Sequence, residues 1–255
     1  MAKSSDESFA RTRLLLGQDA MQKLQDSRVA VFGVGGVGGY VVEVLARSGV
    51  GHLTVIDNDR VDITNLNRQI IALHSTIGQL KVDVIEKRIL DINPHCQVSK
   101  LAMFYLPDNA DAIDLSVFDY VVDCIDTVSA KIELIRRCNQ QGEGARPIPI
   151  ISSMGAANKM DPTAFRVADI NDTKMDPLAK IIRKKLRKLD IDHLKVVYSE
   201  EPPLPYAEGQ QTSPSSEASQ KQEGQGRRAI PASNAFVPAA AGLVIGGEVV
   251  KDLIK

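Results

Sequence analysis

Short runs of apolar, mostly β-branched residues alternate with longer amphipathic stretches in the first two thirds of the chain. Five of the apolar runs predict buried parallel strands, at residues 28–32, 52–57, 97–101, 118–124 and 148–152. Three stretches with apolar residues at helical spacing predict helices, at residues 37–48, 77–91 and 128–141. Gly49 is expected to end the first helix, and Ser75 or Thr76 to cap the second. The alternation predicts a doubly wound, Rossmann-like α/β fold with a mostly parallel sheet.

The last third is less regular and predicts a C-terminal extension of strands and helices. It contains two further predicted strands and two helices, at residues 163–169, 195–199, 177–189 and 239–253. Residues 200–226 are rich in Pro, Ser, Gln, Glu and Gly, which favours a flexible polar loop. We therefore expect a main domain over residues 1–170 and a C-terminal subdomain over 171–255 that is continuous with it. The turn at 141–147 is expected to be a surface insertion.

Composition is ordinary for a soluble globular protein, with 44% hydrophobic and 25% charged residues. A net charge of −1 argues against a uniformly basic surface but not against a local basic patch. The first residues lack an apolar core of the kind found in signal peptides, and no run of eighteen apolar residues occurs. A cytoplasmic protein without membrane contact is expected.

The cysteines limit the chemistry further. Cys96, Cys124 and Cys138 show no pairing pattern, and no CxxC motif occurs. Neither a zinc ribbon nor a redox dithiol is therefore predicted, and no zinc is expected.

A glycine-rich turn, Gly33-Val34-Gly35-Gly36-Val37-Gly38, joins the first strand to the first helix. Such a turn lets backbone N–H groups approach phosphate oxygens, and the helix dipole favours their negative charge. Asp57, at the end of the next strand, can accept a hydrogen bond from a ribose hydroxyl. These features alone leave NAD and ATP open, and a tight turn without a ligand is the third alternative.

The segment after Asp57 favours nucleotidyl transfer. It carries an Asn-x-x-Arg-Gln cluster at residues 65–69, and Lys81 follows thirteen residues after Arg68. Fixed Arg and Lys donors stabilise the charge that builds as pyrophosphate leaves, and a carboxylate is needed to hold Mg²⁺ on the phosphates. A dehydrogenase has no need for these groups.

The chain here resembles the E1-like superfamily of adenylating enzymes, which includes the ThiF, MoeB, HesA and ubiquitin-activating proteins. The resemblance rests on GxGGxG, D-x-D-x-V-x-x-x-N-L-x-R-Q, the lysine and the later D-C-x-D, and covers about residues 9–170 and 236–253. It implies an E1-like fold, ATP and Mg²⁺ as ligands, and a homodimer.

The resemblance also implies roles for individual residues. Asp57 would hold the ribose, Asn65 and Arg68 the phosphates, Lys81 the phosphates from the start of its helix, and Asp126 the Mg²⁺. Arg13 would cross a dimer interface into the neighbour's ATP site. The remaining residues of the implied ATP site are Gly33, Gly35, Gly36, Gly38, Asp59 and Gln69.

Each of these residues also has a simpler interpretation. Arg68, Lys81 and Arg13 taken singly could be solvated surface charges, and Asp126 could cap the helix that follows it. Asp123 is interpreted as a strand-end residue without a metal role. The combination of these residues, rather than any one of them, favours an ATP-binding site.

Within the superfamily, the chain most resembles the zinc-free tRNA threonylcarbamoyladenosine dehydratases. The shared segments are R-Q-I-x-A-L from Arg68, I-N-P from Ile92, G-A-A-x-x-x-D-P-T from Gly155 and D-P-L-A from Asp176. The family activates the carboxylate of threonylcarbamoyladenosine (t6A) at tRNA position 37, and a ureido nitrogen then closes a hydantoin ring. The nucleophile belongs to the substrate, so no enzyme thiol is required. A sulfur-transfer protein partner is compatible with the resemblance.

A tRNA substrate calls for a cationic surface. Residues 180–188 contain six basic residues among nine positions, on a predicted helix whose apolar stripe faces the other way. Without the resemblance, the six basic residues are equally compatible with a helix face that is simply exposed to solvent. With the resemblance, we expect phosphate contacts from five residues: Lys180, Arg183, Lys184, Arg187 and Lys188. Arg227 and Arg228 are candidates to extend the surface.

Two other functions remain open. The first is adenylation of the C-terminal Gly-Gly of a sulfur-carrier or ubiquitin-like protein. The second is a nicotinamide-dependent oxidoreductase or dinucleotide sensor. The loop at 200–226 is expected to be either a lid over the site or an insertion without function.

Overall fold

The computed structural model describes residues 5–139, 147–207 and 231–255. The described residues form one seven-stranded sheet in the order β3-β2-β1-β4-β5-β7-β6. The strands are β1 (Arg28–Phe32), β2 (His52–Ile56), β3 (Gln97–Leu101), β4 (Tyr120–Asp123), β5 (Ile150–Ser153), β6 (Phe165–Asp169) and β7 (Lys195–Ser199). All neighbouring pairs are parallel except β6 with β7. The predicted mostly parallel α/β sheet is confirmed.

Eight α-helices surround this sheet in the described part of the chain. They are α1 (Ser5–Ser8), α2 (Ala10–Leu16), α3 (Gln18–Asp26), α4 (Gly38–Arg47), α5 (Lys81–Ile92), α6 (Val128–Asn139), α7 (Pro177–Leu186) and α8 (Val237–Leu253). The predicted stop at Gly49 is confirmed, since Gly49 has a φ of 87° directly after the α4 cap residue. The three N-terminal helices were not predicted.

The two faces of the sheet have separate cores because side chains alternate along each strand. Val29 and Val31 of β1 pack with α4, α5 and α8, whereas Ala30 and Phe32 pack with α6 and α7. Helices α4 and α8 approach closely: a Cβ added to Gly246 of α8 would lie 2.6 Å from the Cβ of Val44. No described helix is long and apolar enough to cross a membrane.

The predicted start of the second helix is wrong. Helix α5 begins at Lys81 rather than at residue 77, and its cap residue is Leu80. The Thr76 hydroxyl instead accepts from the Leu73 N–H at 2.9 Å and donates to the Ile71 carbonyl at 2.8 Å, which closes a turn. Gly78 then takes a φ of 83°, which ends any helical path before residue 81.

The predicted division of the chain at residue 170 stays a proposal. Strand β6 lies before that boundary and β7 after it, yet the two pair over five positions in the same sheet. The 3-10 turn Arg187–Leu189 continues α7 to the predicted end of that helix. The predicted insertion at 141–147 lies outside the described residues except for residue 147, as do residues 208–226 of the predicted loop and Arg227 and Arg228.

Candidate nucleotide-binding site

Three strand ends converge on the glycine turn. Phe32 of β1 is in register with Ile56 of β2 and with Asp123 of β4, so the loops that follow these residues lie side by side. The Gly33 N–H donates to the Ile56 carbonyl at 2.8 Å, and the Cys124 N–H donates to the Phe32 carbonyl at 2.8 Å. Ligands of open α/β sheets bind at this carboxyl edge, where the strand order reverses.

The backbone of the turn requires glycine at two of the predicted positions. Gly33 has a φ of 84°, and a Cβ there would lie 2.8 Å from the Cys124 carbonyl oxygen. A Cβ on Gly38 would lie 1.8 Å from the Gly33 carbonyl oxygen. The turn is therefore closed tightly over itself and leads straight into the N-terminus of α4, which favours bound anions.

Asp57 holds the glycine turn in place. One carboxylate oxygen accepts from the Val34 N–H and the other from the Asp59 N–H, both at 2.9 Å. Burial raises the pKa of the Asp57 carboxyl, while the nearby Lys81 charge and the two N–H groups act in the opposite direction. Asp57 thus has a structural task in addition to the ribose contact that the resemblance implies.

Lys81 is brought beside Asp59. The backbone N–H of Lys81 donates to the Asp59 carbonyl at 2.9 Å, and its ammonium lies 2.9 Å from an Asp59 carboxylate oxygen. The Lys81 side chain is 6% exposed and that of Asp59 is 58% exposed, so the lysine charge is held at the inner wall of the site.

The segment around residues 63–69 packs over the glycine turn. A Cβ on Gly36 would lie 3.5 Å from Cγ of Arg68, and one on Gly35 would lie 3.6 Å from Nε2 of Gln69. Arg68 donates only to the Thr64 carbonyl and the Asn67 side chain among the described residues. Its guanidinium therefore keeps donors for an anionic ligand.

Two buried amides of this segment have unused hydrogen-bonding capacity. Oε1 of Gln69 is buried without a partner in the described part of the chain. Asn65 is buried, and its Oδ1 accepts from the Asp62 N–H at 3.2 Å, while its Nδ2 reaches only the Thr64 hydroxyl at 3.5 Å. Buried polar groups are normally paired, so these atoms point to a ligand that completes the site.

Asp126 follows Cys124 by two residues on the far side of the turn and is exposed. Its carboxylate lies 3.3 Å from the Thr127 hydroxyl. The described residues contain no group of three or more His, Cys, Asp or Glu side chains that could hold a metal by themselves. A single exposed carboxylate beside a phosphate site nevertheless fits Mg²⁺, which is usually held by one or two carboxylates together with substrate phosphates.

The cysteine thiols are poorly suited to nucleophilic chemistry. Burial raises the pKa of Cys124, which lies beside the glycine turn, to about 12. It raises the pKa of Cys138 to about 12 and that of Cys96 to about 11. The thiolate, which is the reactive form, is therefore scarce at neutral pH for all three cysteines.

The start of α8 also contacts the site, and the sequence reasoning missed these contacts. The Pro238 Cβ lies 3.3 Å from the position of a Cβ on Gly36, and the Asn67 side chain donates to the Ser233 carbonyl at 3.1 Å. The N-cap residue of α8 is Phe236, and the Asn234 side chain, two residues earlier, accepts from the Val237 N–H at 2.9 Å. The N-x-x-V-P pattern before an apolar helix was the available signal for this contact.

Arg13 is not at the nucleotide edge of its own chain. It lines a cavity of about 370 Å³ together with His52 and Gln97, the first residues of β2 and β3. This is the amino edge of the sheet, opposite the glycine turn. Arg13 could therefore contact a nucleotide only in another copy of the chain.

The predicted basic face, residues 180–188, lies on α7 and on the 3-10 turn that follows it. The N-terminus of α7 is tied to the carboxyl edge of the sheet. Asp176 caps α7 through the Ala179 N–H at 2.9 Å and also accepts from the Gly155 N–H, after β5, at 3.0 Å. Four of the five predicted phosphate contacts are exposed: Lys180, Lys184, Arg187 and Lys188.

Arg183 differs from the other basic residues of α7. Its Nη1 donates to the Ile170 and Thr173 carbonyls at 3.1 and 3.0 Å and to the Thr173 hydroxyl at 3.0 Å. The side chain therefore holds the turn that precedes α7, a contact that the sequence does not reveal.

The structure brings the glycine turn, Asp57, Asp59, the 65–69 cluster, Lys81 and Asp126 to one edge of the sheet. Known proteins resemble this chain over most of its length. The ThiF family profile matches residues 9–251. The tRNA threonylcarbamoyladenosine dehydratase of Bacillus subtilis is 47% identical over 248 residues, which is 97% of this chain and 94% of that protein.

A solved structure supports the same grouping. Escherichia coli tRNA N6-threonylcarbamoyladenosine dehydratase, TcdA, in complex with AMP superposes with a TM-score of 0.83 at 32% identity. The match covers 98% of this chain and 94% of that one. Molybdopterin-synthase adenylyltransferase of Escherichia coli is 35% identical, but over only 63% of this chain and 64% of its own length. The chain therefore belongs to the ThiF family and groups with its tRNA threonylcarbamoyladenosine dehydratases.

Proposed function

We propose that this protein is an ATP-dependent tRNA threonylcarbamoyladenosine dehydratase. It adenylates the carboxylate of t6A at tRNA position 37 and allows cyclisation to the hydantoin form within the tRNA, with release of AMP and pyrophosphate. The observation that carries the proposal is the placement of Arg68 and Lys81 at the edge of the glycine turn, in a chain that groups with the tRNA threonylcarbamoyladenosine dehydratases. Such a site can activate a carboxylate, and burial of the Cys124 thiol, which raises its pKa, makes that thiol a poor attacking group.

The first step is nucleotidyl transfer. A carboxylate oxygen of t6A attacks the α-phosphorus of ATP, and the bond to pyrophosphate breaks. The backbone N–H groups of the glycine turn and the N-terminus of α4 bind the phosphates. Arg68 and Lys81 stabilise the charge that develops on the leaving pyrophosphate, and Asn65 donates from Nδ2 near the α-phosphate. Asp57 accepts from the ribose.

Asp126 is the residue that would hold Mg²⁺, which supplies charge neutralisation on the phosphates when it is bound. In the second step the ureido nitrogen of the substrate attacks the acyl carbon and loses its proton to solvent. The bond between the acyl carbon and the AMP phosphate oxygen breaks, and AMP leaves with that electron pair. The protein's task in this step is to hold the substrate ends together and to exclude water.

The exposed part of the basic face binds the tRNA backbone in this proposal. Four basic residues do not contact the turn that Arg183 holds and are exposed: Lys180 and Lys184 on α7, and Arg187 and Lys188 on the 3-10 turn that follows it. Phosphate contacts of this kind position the RNA, while the modified nucleoside itself supplies specificity. A tRNA substrate is compatible with the cytoplasmic location expected from the sequence, which stays a prediction. A sulfur-transfer partner stays a prediction from the resemblance.

The test of this function is a nucleoside assay. Purified protein with Mg-ATP and tRNA that carries t6A should yield cyclic t6A together with AMP and pyrophosphate, and Arg68→Ala should abolish the reaction while retaining the fold. The alternative substrate is a small carrier protein that ends in Gly-Gly. Pyrophosphate exchange that depends on such a carrier, without conversion of t6A, would reject the dehydratase in favour of that alternative. A thermal-shift comparison of ATP with NAD excludes the oxidoreductase if only ATP raises the melting temperature.

We further propose a homodimer in which Arg13 completes the partner's ATP site. Arg13 lies at the edge opposite its own site, and Leu14 and Leu15 of the same helix are 89% and 81% exposed. Adjacent exposed apolar side chains fit a contact surface, and this supports the dimer proposal.

The dimer proposal has a complementation test. Arg13→Ala and Arg68→Ala should each be inactive, but a mixed heterodimer contains one site in which both arginines are present. A refolded equal mixture should therefore regain about a quarter of wild-type activity, since half of the dimers carry one of two sites. Failure to regain activity, with heterodimers demonstrated by mass spectrometry, contradicts a role of Arg13 in the partner's site.

A further inference from the structure

A fully buried lysine lies under the loop that carries Asp126. Lys131 of α6, Asp123 at the end of β4 and Ser152 of β5 each have 0% exposure. We call these three residues the buried cluster. None of the three belongs to the glycine turn or to the basic face. Because they are fully buried, none can contact a ligand.

Each hydrogen-bond donor of the Lys131 ammonium has an acceptor nearby. The Lys131 ammonium donates to the Asp123 carboxylate at 2.7 Å, to the Ser152 hydroxyl at 3.1 Å and to the Ser153 carbonyl at 3.0 Å. These contacts use all three ammonium donors. The Ser152 hydroxyl also donates to the same Asp123 oxygen at 2.5 Å. The cluster therefore joins two strand ends and a helix at one point.

A buried ion pair of this kind is weak evidence for stability, because desolvation of both charges offsets their attraction. A buried ion pair is better explained when it holds a neighbouring segment in one of several conformations. The question is therefore which neighbouring segment the buried cluster fixes.

The answer is the loop at residues 124–127. The second Asp123 oxygen accepts from the Ile125 N–H at 3.1 Å. The Cys124 carbonyl oxygen lies 2.8 Å from where a Cβ on Gly33 would be. Lys131 is itself bonded to the far end of the loop, since its N–H donates to the Thr127 carbonyl at 3.0 Å. The loop is thus held at both ends, and Asp126 lies between these two anchored ends.

We propose that the buried cluster positions Asp126 relative to the glycine turn and so sets the affinity of the site for Mg²⁺ on bound ATP. Lys131, Asp123 and Ser152 are positioning residues in this proposal, because they act through the loop and contact no substrate. The proposal rests on the proposed function only in taking Asp126 as the Mg²⁺ ligand. Outer-shell partners of metal ligands commonly change metal affinity by about 10-fold to 100-fold when they are replaced.

Replacement of the buried cluster by apolar residues separates positioning from folding. The triple variant Asp123→Leu, Lys131→Met, Ser152→Ala leaves no buried charge, so its fold is expected to survive. Ser152→Ala alone is a milder second variant that removes one donor to Asp123. The matched control is Lys195→Met at the opposite edge, where the ammonium lies 2.7 Å from Asp252 and 2.9 Å from Glu248.

The first measurement is amide hydrogen exchange at Ile125 in the ligand-free protein. The second is ATP affinity with and without Mg²⁺ by calorimetry. In the triple variant we expect about 10-fold faster exchange at Ile125 and about a 10-fold loss of the Mg²⁺-dependent gain in ATP affinity. ATP affinity without Mg²⁺ should stay within about twofold. Ser152→Ala should shift both in the same direction by about twofold to threefold, and Lys195→Met should shift neither.

Wild-type exchange at Ile125 and a wild-type Mg²⁺ effect in the folded triple variant overturn the proposal. If the triple variant does not fold, Ser152→Ala decides in the same way. Both measurements are independent of turnover. Absence of t6A conversion by the wild-type protein would therefore reject the proposed function and leave the positioning result standing.

Discussion

The contrast between Arg183 and Lys184 gives the sharpest test of the basic face. The two are adjacent on α7 and the sequence treats them alike, but only Arg183 holds the turn before the helix. Its Nη1 makes three contacts of 3.0–3.1 Å to Ile170 and Thr173, which are 1% and 6% exposed. Truncation leaves these buried acceptors without their charged donor.

We expect Arg183→Ala to lower the free energy of unfolding by about 2 kcal/mol, the scale of a charged hydrogen bond to buried acceptors. Lys184→Ala, at an exposed position, should change it by less than about 0.5 kcal/mol. Urea denaturation followed by circular dichroism measures both values.

The two variants should show the opposite order in tRNA binding. Each lost phosphate contact lowers the slope of log affinity against log salt by about 0.7 to 0.9. Lys184→Ala should show this loss between about 50 and 200 mM salt, whereas Arg183→Ala should keep the wild-type slope. If Arg183→Ala instead kept the wild-type free energy of unfolding and reduced the slope of log tRNA affinity against log salt, the assignment of Arg183 to the turn would be wrong.

Three further predictions follow from close contacts and one shifted pKa. Gly33→Ala should destabilise the protein by about 1–3 kcal/mol and weaken ATP binding, because it combines a φ of 84° with a 2.8 Å contact to a carbonyl oxygen; calorimetry with ATP checks it. Gly246→Ala should lower the melting temperature, because its Cβ would lie 2.6 Å from that of Val44, while Gly247→Ala, with nothing within 4 Å, should raise it by reducing the entropy of the unfolded chain. Burial would raise the pKa of Asp252, but hydrogen bonds from Lys195, Lys255 and Tyr120 prevail and lower it from 3.8 to about 2. The ionised Asp252 carboxylate should therefore stabilise the fold above pH 3.8, and this stabilisation should disappear as the pH falls towards 2. Above pH 3.8 the free energy of unfolding of the wild type should exceed that of Asp252→Asn by about 1–2 kcal/mol, and acid denaturation should show this difference vanish towards pH 2.

Much of the fold could be predicted because the local pattern reflects burial directly. Strands such as Arg28–Phe32 and His52–Ile56 are short, mostly apolar runs followed by glycine or aspartate, and they form where the pattern indicates. The helix start at residue 77 could not be predicted in this way. A threonine can cap a helix or close a turn, and here the contacts of Thr76 with Leu73 and Ile71 decide for the turn.

The buried lysine shows a signal that was present but ambiguous. Lys131 shares a helical stripe with Leu134, Ile135 and Cys138, all of which are buried. Spacing alone therefore places the lysine on the inner face of α6. A lysine there could still extend its ammonium to solvent, so only the distances to Asp123 and Ser152 show that it does not.

The sequence by itself determined the order of strands and helices from residue 28 onward, the glycine turn and the set of residue types suited to adenylation. Only the tertiary structure decided that β7 lies between β5 and β6, that Arg13 lies at the edge away from its own site, and that Arg183 holds a turn. The physical reason is the range of the forces involved. Periodicity and turn chemistry act between neighbours in the chain, so they can be read from it. The partner of a charged side chain is chosen by packing between segments far apart in sequence, and that choice exists only once the sheet has formed.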